Sequence, residues 1–154
     1  MRSKQAGRSG ATPTIAAMRV EEYVAASDGE REAHLAGLSA DELLNWGIEL
    51  YNAGEYWHAH EAWEEVWLAA DPDEKPFFQG LIQIAAGLLH LERRNARGAR
   101  NKLAEGLARL EPFQPVHHGI FVNELVSRAT GTLQELNEGQ LPYLIPPVIR
   151  MVDR

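Results

Sequence analysis

Apolar residues recur at three- and four-residue spacing from Leu43 to Leu136, the period of amphipathic helices. The clearest start is Ser39, followed three positions later by Glu42. This capping box opens a helix through Leu43, Leu44, Gly47, Leu50 and Tyr51. That helix stops near Asn52 to Gly54, residues that tolerate left-handed backbone angles. A second long helix is predicted from about Glu55 to Ala70, ending at Asp71–Pro72 because proline disfavours helical geometry in the residue before it. The acidic run Asp71 to Glu74 is expected to cap a third helix, Lys75 to about Arg94. Its sequence FFQGLIQIAAGLLHLE is apolar almost all round, as a central buried helix is. Beyond Asn95, a breaking residue, Ala99, Leu103, Gly106, Leu107 and Leu110 form one stripe. Val122, Leu125, Val126, Ala129, Leu133 and Leu136 form the last.

The ends read differently. Residues 1–14, MRSKQAGRSGATPT, are small, polar and basic, and cannot bury enough apolar surface to order themselves, so a flexible tail is expected. Thr12 before Pro13 offers a helix start running to about Ala26, and a short helix follows over Gly29 to Leu35. At the other end LPYLIPPVIR carries three prolines, so an extended segment over 141–150 should lay Leu141, Tyr143, Leu144 and Ile145 over the helices. No strand pattern competes with helix. The expected fold is therefore all-α: a single-domain helical bundle over residues 15–154, its central apolar helix surrounded by others and sequential helices antiparallel. At 154 residues and 45% hydrophobic content the chain can bury one real core.

Composition narrows the setting. The absence of cysteine excludes disulfides and thiolate metal sites and is compatible with a reducing cytoplasm, the expected location. No apolar run approaches the roughly 20 residues of a membrane span, so no membrane partner is expected. The net charge of −7 is unevenly spread: Glu21 to Glu74 holds fifteen acids against the single base Arg31. Arg93, Arg94, Arg97, Arg100, Lys102 and Arg109 then face only Glu105. No aromatic residue interleaves that basic run to stack bases, which disfavours nucleic acid as a partner.

Candidate chemistry lies where polar groups interrupt burial faces. Tyr56, His60, Trp63 and Trp67 fall on one helical stripe, so His60 occupies a position where the pattern calls for an apolar residue. Glu64, one turn on, can hydrogen-bond its imidazole. In the third helix Gln79, Gln83 and His90 lie within about 40° of one another, with Gly87 on the flank. If that line opposes the second helix, His60, Glu61, Glu64 and Trp67 meet Gln79 and Gln83 in one ligand pocket. His90, about 10 Å beyond Gln83 along the axis, cannot share a mononuclear centre with them. His60 and Glu64 are the metal candidates, for a divalent ion; His60, Glu61 and Glu64 are the catalytic candidates, a carboxylate as base and His60 as proton carrier. A satisfied core pair of His60 with Glu64 explains the same pattern without chemistry. HEAWEE resembles the first part of a zincin helix with Glu64 in place of the second histidine, leaving a third ligand unidentified. A diiron site needs two E-x-x-H motifs, whereas only Glu55 with His58 is present. His58 and His60 point to different sides of a helix, and His117 and His118, without sequence partners, default to the surface.

The order YNAGEYWHAHEAWEEVW, FFQGLIQIAAGLLH, NARGA resembles the bacterial and archaeal domain-of-unknown-function family 309, over roughly Leu43 to Leu110. Its motif of aromatic–Asn–x–Gly, two aromatics, His-Glu, glutamate and tryptophan is filled by Tyr51, Asn52, Gly54, Tyr56, Trp57, His60, Glu61, Glu64 and Trp67. Gln79 to Gln83 and Asn95 to Ala99 match its later blocks, Arg94 departing from the usual glycine. The resemblance implies a small bundle around one central helix and carries no established activity. GEYWHAHEAWEEVWLAADP is also similar to the second helix of a tetratricopeptide repeat, through Gly54, Tyr56, Ala59, Trp63 and Pro72. At most two copies are present where about three make a solenoid. The leading expectation is a pocket for a small polar ligand or metal ion; a helical-hairpin adaptor for a protein partner and a metal-dependent hydrolase are the alternatives.

Overall fold

The computed structural model describes residues 18–140 and 147–153; the expected basic tail and the positions Leu141, Tyr143, Leu144 and Ile145 lie outside them. The described residues form α1 (Val20–Ala25), α2 (Asp28–Ala36), α3 (Ala40–Asn52), α4 (Tyr56–Ala69), α5 (Lys75–Glu92), α6 (Ala96–Leu110) and α7 (Val122–Asn137). A 3₁₀ turn (Glu111–Phe113) and a hairpin of β1 (Val116–His117) with β2 (Ile120–Phe121) separate α6 from α7. The chain is an all-α bundle, and among its described residues no helix is long and apolar enough to cross a membrane.

Local chemistry sets the boundaries. Ser39 Oγ accepts from Glu42 N at 3.1 Å while Glu42 Oε1 accepts from Ser39 N at 2.9 Å, the reciprocal box expected at the start of α3. Ser27 and Glu30 repeat it on α2. α3 ends where Gly54 takes φ 83° and Glu55 N reaches back to Leu50 O. At the end of α5 the left-handed position is filled by Arg94, φ 59°, where glycine would cost less. Asn95 then caps α6 by accepting from Gly98 N at 3.0 Å.

α5 is the central helix, packed against α4 on one side and α6 on the other. Its Gly80 and Gly87, with Gly106 of α6, line the second contact. A Cβ at Gly80 or Gly87 would fall within 3 Å of Leu110 or Leu103, so small residues decide which face of α5 meets α6. Phe77, Leu81, Ala85 and Leu88 of α5 are also buried, along with Trp63, Leu103, Leu110, Leu125 and Leu136.

Among the described residues, the hairpin departs from the helical reading. Two-residue strands are too short to display a period of two. Its turn takes positive φ at His118 (50°) and Gly119 (75°), the backbone of a tight hairpin. The C-terminal segment holds it in place: Ile120 bridges Met151, Phe121 N donates to Arg150 O at 3.0 Å and Val152 N to Gly119 O at 2.7 Å. That segment is fastened in turn to the end of α3. Tyr51 Oη donates to Pro147 O, and Asn52 exchanges two 2.9 Å hydrogen bonds with the backbone of Ile149.

Candidate metal centre

The acidic run before α5 does not cap that helix with a side chain. The Glu74 carboxylate instead meets the hairpin. Its Oε1 lies 3.0 Å from His117 Nε2 and 2.7 Å from His118 Nε2, and one donor atom from each of the three residues falls within 4.8 Å of the others. Adjacent residues of a strand point to opposite faces; the left-handed backbone of His118 turns its ring to the side of His117. Aromatic neighbours hold both rings. His117 packs edge-on to Phe77, centroids 4.7 Å apart, and 4.8 Å from Phe113, while His118 stacks on Phe78 at 28°.

An ionised carboxylate only accepts, so both contacts use a proton on Nε2. The hydrogen bond from His117, joined by that from His118, holds the Glu74 carboxyl below its ordinary value against the opposing effect of partial burial. Two imidazole nitrogens and one carboxylate oxygen form a donor set that first-row divalent ions accept at about 2.0–2.2 Å, with an open fourth position. Separations of 2.7 and 3.0 Å require only a small parting of the side chains to admit an ion.

Glu74 and His118 also line an open groove of about 220 Å³. Leu44, Val66 and Phe78 supply its apolar lining, and Asp41 and Asp71 its carboxylates.

The residues expected to form one pocket are distributed over two sides of α4 and the far face of α5. The buried stripe of α4 is Tyr56, Ala59, Trp63 and Val66, small alanines permitting close packing, and His60 and Trp67 flank it half-buried. His60 lies tilted at 35° against Trp57, centroids 5.1 Å apart, and its Nε2 is 3.4 Å from Glu64 Oε2; its Nδ1 is buried without a partner among the described residues. Glu61 stands on the other side, 3.5 Å from His58 Nδ1, close enough for an ion pair but not aligned as a hydrogen bond. His58 meets the edge of Tyr23 there. Trp67 lies under Lys75, whose Nζ is 4.4 Å from the ring centre.

The polar line of α5 is turned towards α6, not α4. Gln83 Nε2 donates to Glu105 at 3.2 Å, and His90 Nδ1 pairs with Asn95 at 3.2 Å. Gln79 is half-buried on the same line. The glycines beside that line draw it to α6, which separates Gln79 and Gln83 from His60, Glu61 and Glu64.

The triad escaped the sequence reading because its members are 43 and 44 residues apart. The available signal was VHHGIF: Val116 and the pair Ile120–Phe121 on either side of a residue–glycine step suited to a two-residue turn.

Residues 44–101 match the family described as "Domain of unknown function (DUF309)", which bears out the resemblance over α3 to the first part of α6. Glu74 lies inside that segment; His117 and His118 lie beyond it. An "Uncharacterized protein" of Aquifex aeolicus is 29% identical over 116 residues, covering 72% of this chain and 35% of that protein. The "Uncharacterized protein YpuF" of Bacillus subtilis is 30% identical over 69 residues, covering 44% of this chain and 40% of that protein. The chain thus spans well under half the length of these curated relatives.

Proposed function

We propose that this helical protein binds a divalent first-row metal ion through Glu74, His117 and His118. The observation that carries the reading is the convergence of two imidazole Nε2 atoms on one carboxylate oxygen, at 3.0 and 2.7 Å, beside a groove. Hydrogen bonding alone would satisfy the three side chains; an ion would take the place of the two N–H contacts, each neutral imidazole binding through Nε2 with its proton on Nδ1, and protons competing for those nitrogens would weaken binding as pH falls.

The α4 pair His60 and Glu64 is the second location for the same function, supported by the buried, unpartnered Nδ1 of His60.

Calorimetric titration of tag-free protein with Zn²⁺ separates these. The triad reading expects one ion per chain, lost in His118→Ala and Glu74→Gln and retained in His60→Ala. Retention in His118→Ala with loss in His60→Ala would move the site to α4. Absence of stoichiometric binding in the folded wild type would refute both locations.

A further inference from the structure

We propose that the groove beside the triad takes an aliphatic α-amino acid, its carboxylate on the bound ion, its side chain against Leu44, Val66 and Phe78, and its ammonium group towards Asp41 and Asp71. This rests on the metal reading above.

Three protein ligands are the number that leaves a coordination position for an exogenous donor; a closed structural site uses four. Glu74 and His118 line the groove while His117 does not, being packed behind them against Phe77 and Phe113. Glu74 and His118 thus present the triad to the groove, whose wall includes the Phe78 ring stacked on His118, and the free position of an ion held there would face that side.

Size and polarity then restrict the occupant. At about 220 Å³ the groove falls below the roughly 300–1,000 Å³ of sites for drug-sized ligands, so it suits a metabolite of amino-acid dimensions. Its apolar part, between α3 and α4 and over the start of α5, fits a short aliphatic chain better than a polar one. Asp41 and Asp71 form no ion pair with a described side chain, although Asp41 also complements the N-terminal dipole of α3. Two such carboxylates favour a cationic group on the ligand. They also repel a free carboxylate, so an anionic group is favoured there once an ion sits at the triad. A ligand with an anionic, metal-seeking end, a cationic end and an apolar branch between them matches all three features.

The test uses the zinc-loaded full chain, labelled at Leu and Val methyl groups, titrated with L-leucine and followed by NMR. L-leucine should shift the Leu44 and Val66 methyl signals in a saturable way, with no such shift in zinc-free protein. 4-Methylpentanoate, lacking the amine, and 3-methylbutylamine, lacking the carboxylate, should each bind at least about tenfold more weakly. Asp41→Asn/Asp71→Asn should lose about tenfold in leucine affinity while keeping its zinc affinity. Zinc-loaded protein that does not respond to leucine, responds equally to the amine-free acid, or releases its zinc to leucine overturns this proposal and leaves the metal reading intact. Wild type that binds no zinc overturns both.

Discussion

Replacing Gly47 by alanine tests how the α3–α4 pair is held together. A Cβ built on Gly47 would lie 2.2 Å from Trp63 Nε1, 2.5 Å from Cδ1 and 2.7 Å from Cε2, all far inside a normal contact of about 3.5–4.0 Å. The ring cannot swing away cheaply, because Trp63 is fully buried and its Nε1 donates to Leu44 O at 3.2 Å. Overpacking of this kind costs about 1–3 kcal/mol, and a rigid, pinned indole belongs at the upper end. Loss of the indole hydrogen bond adds about 1 kcal/mol. The better helix propensity of alanine returns about 1 kcal/mol. The net expectation is a destabilisation of about 2–3 kcal/mol, or roughly 5–10 °C in Tm for a chain of this size. Urea unfolding followed by far-ultraviolet circular dichroism and tryptophan fluorescence measures it. Gly131→Ala in α7 is the control: nothing lies within 4 Å of its Cβ position, so propensity alone should stabilise the protein by up to about 1 kcal/mol. The reasoning is refuted if Gly47→Ala unfolds within about 0.5 kcal/mol of wild type, a difference too small for any forced movement of the indole.

Three further outcomes are expected. Tyr51→Phe should cost about 1 kcal/mol by removing the hydrogen bond to Pro147 O, whereas Tyr23→Phe should be neutral or stabilising, since Tyr23 Oη is buried without a partner; paired urea titrations compare them. Arg94→Gly should raise stability by about 0.5–1 kcal/mol in the same assay, by relieving a left-handed backbone position, and would fail the argument if it lowered it. Burial, and then repulsion from Glu55, raise the Glu92 carboxyl above its ordinary value of 4.5. A raised carboxylate binds more protons folded than unfolded, so its ionisation opposes folding: the penalty is absent below the ordinary value and grows as pH rises through the folded one. Glu92→Gln should therefore exceed wild type by a few tenths of a kcal/mol at pH 7, the solvent-exposed site screening the effect, and the two should converge below pH 4.5; a gap that widens on acidification would contradict the sign.

What the sequence determined by itself was local. Ser39 with Glu42, Asn52 to Gly54, Asp71–Pro72 and Asn95 act through hydrogen bonds and backbone angles within a few residues. The breaks they impose are therefore visible without a fold, as is the central position of a helix apolar almost all round. The ordered motif around Tyr51 and Trp67 also identified the family resemblance. Part of its role is now visible: Tyr51 and Asn52 grip the backbone of 147–149, which braces the hairpin. Tertiary packing decided the rest. Helical spacing placed Gln79 and Gln83 on one line but could not say which neighbour that line meets; the glycines of α5 and α6 let those two helices approach closely beside it, and Gln83 there meets Glu105. The triad is more distant still from anything periodicity can report. Glu74 ends one turn, His118 occupies a left-handed position in another, and their separation of 44 residues is closed by a hairpin that packs its histidines on Phe77 and Phe78 of α5 and is braced from behind by the C-terminal segment. Side-chain convergence across such a distance depends on the positions of whole elements, and those positions follow from which small and large surfaces can pack together.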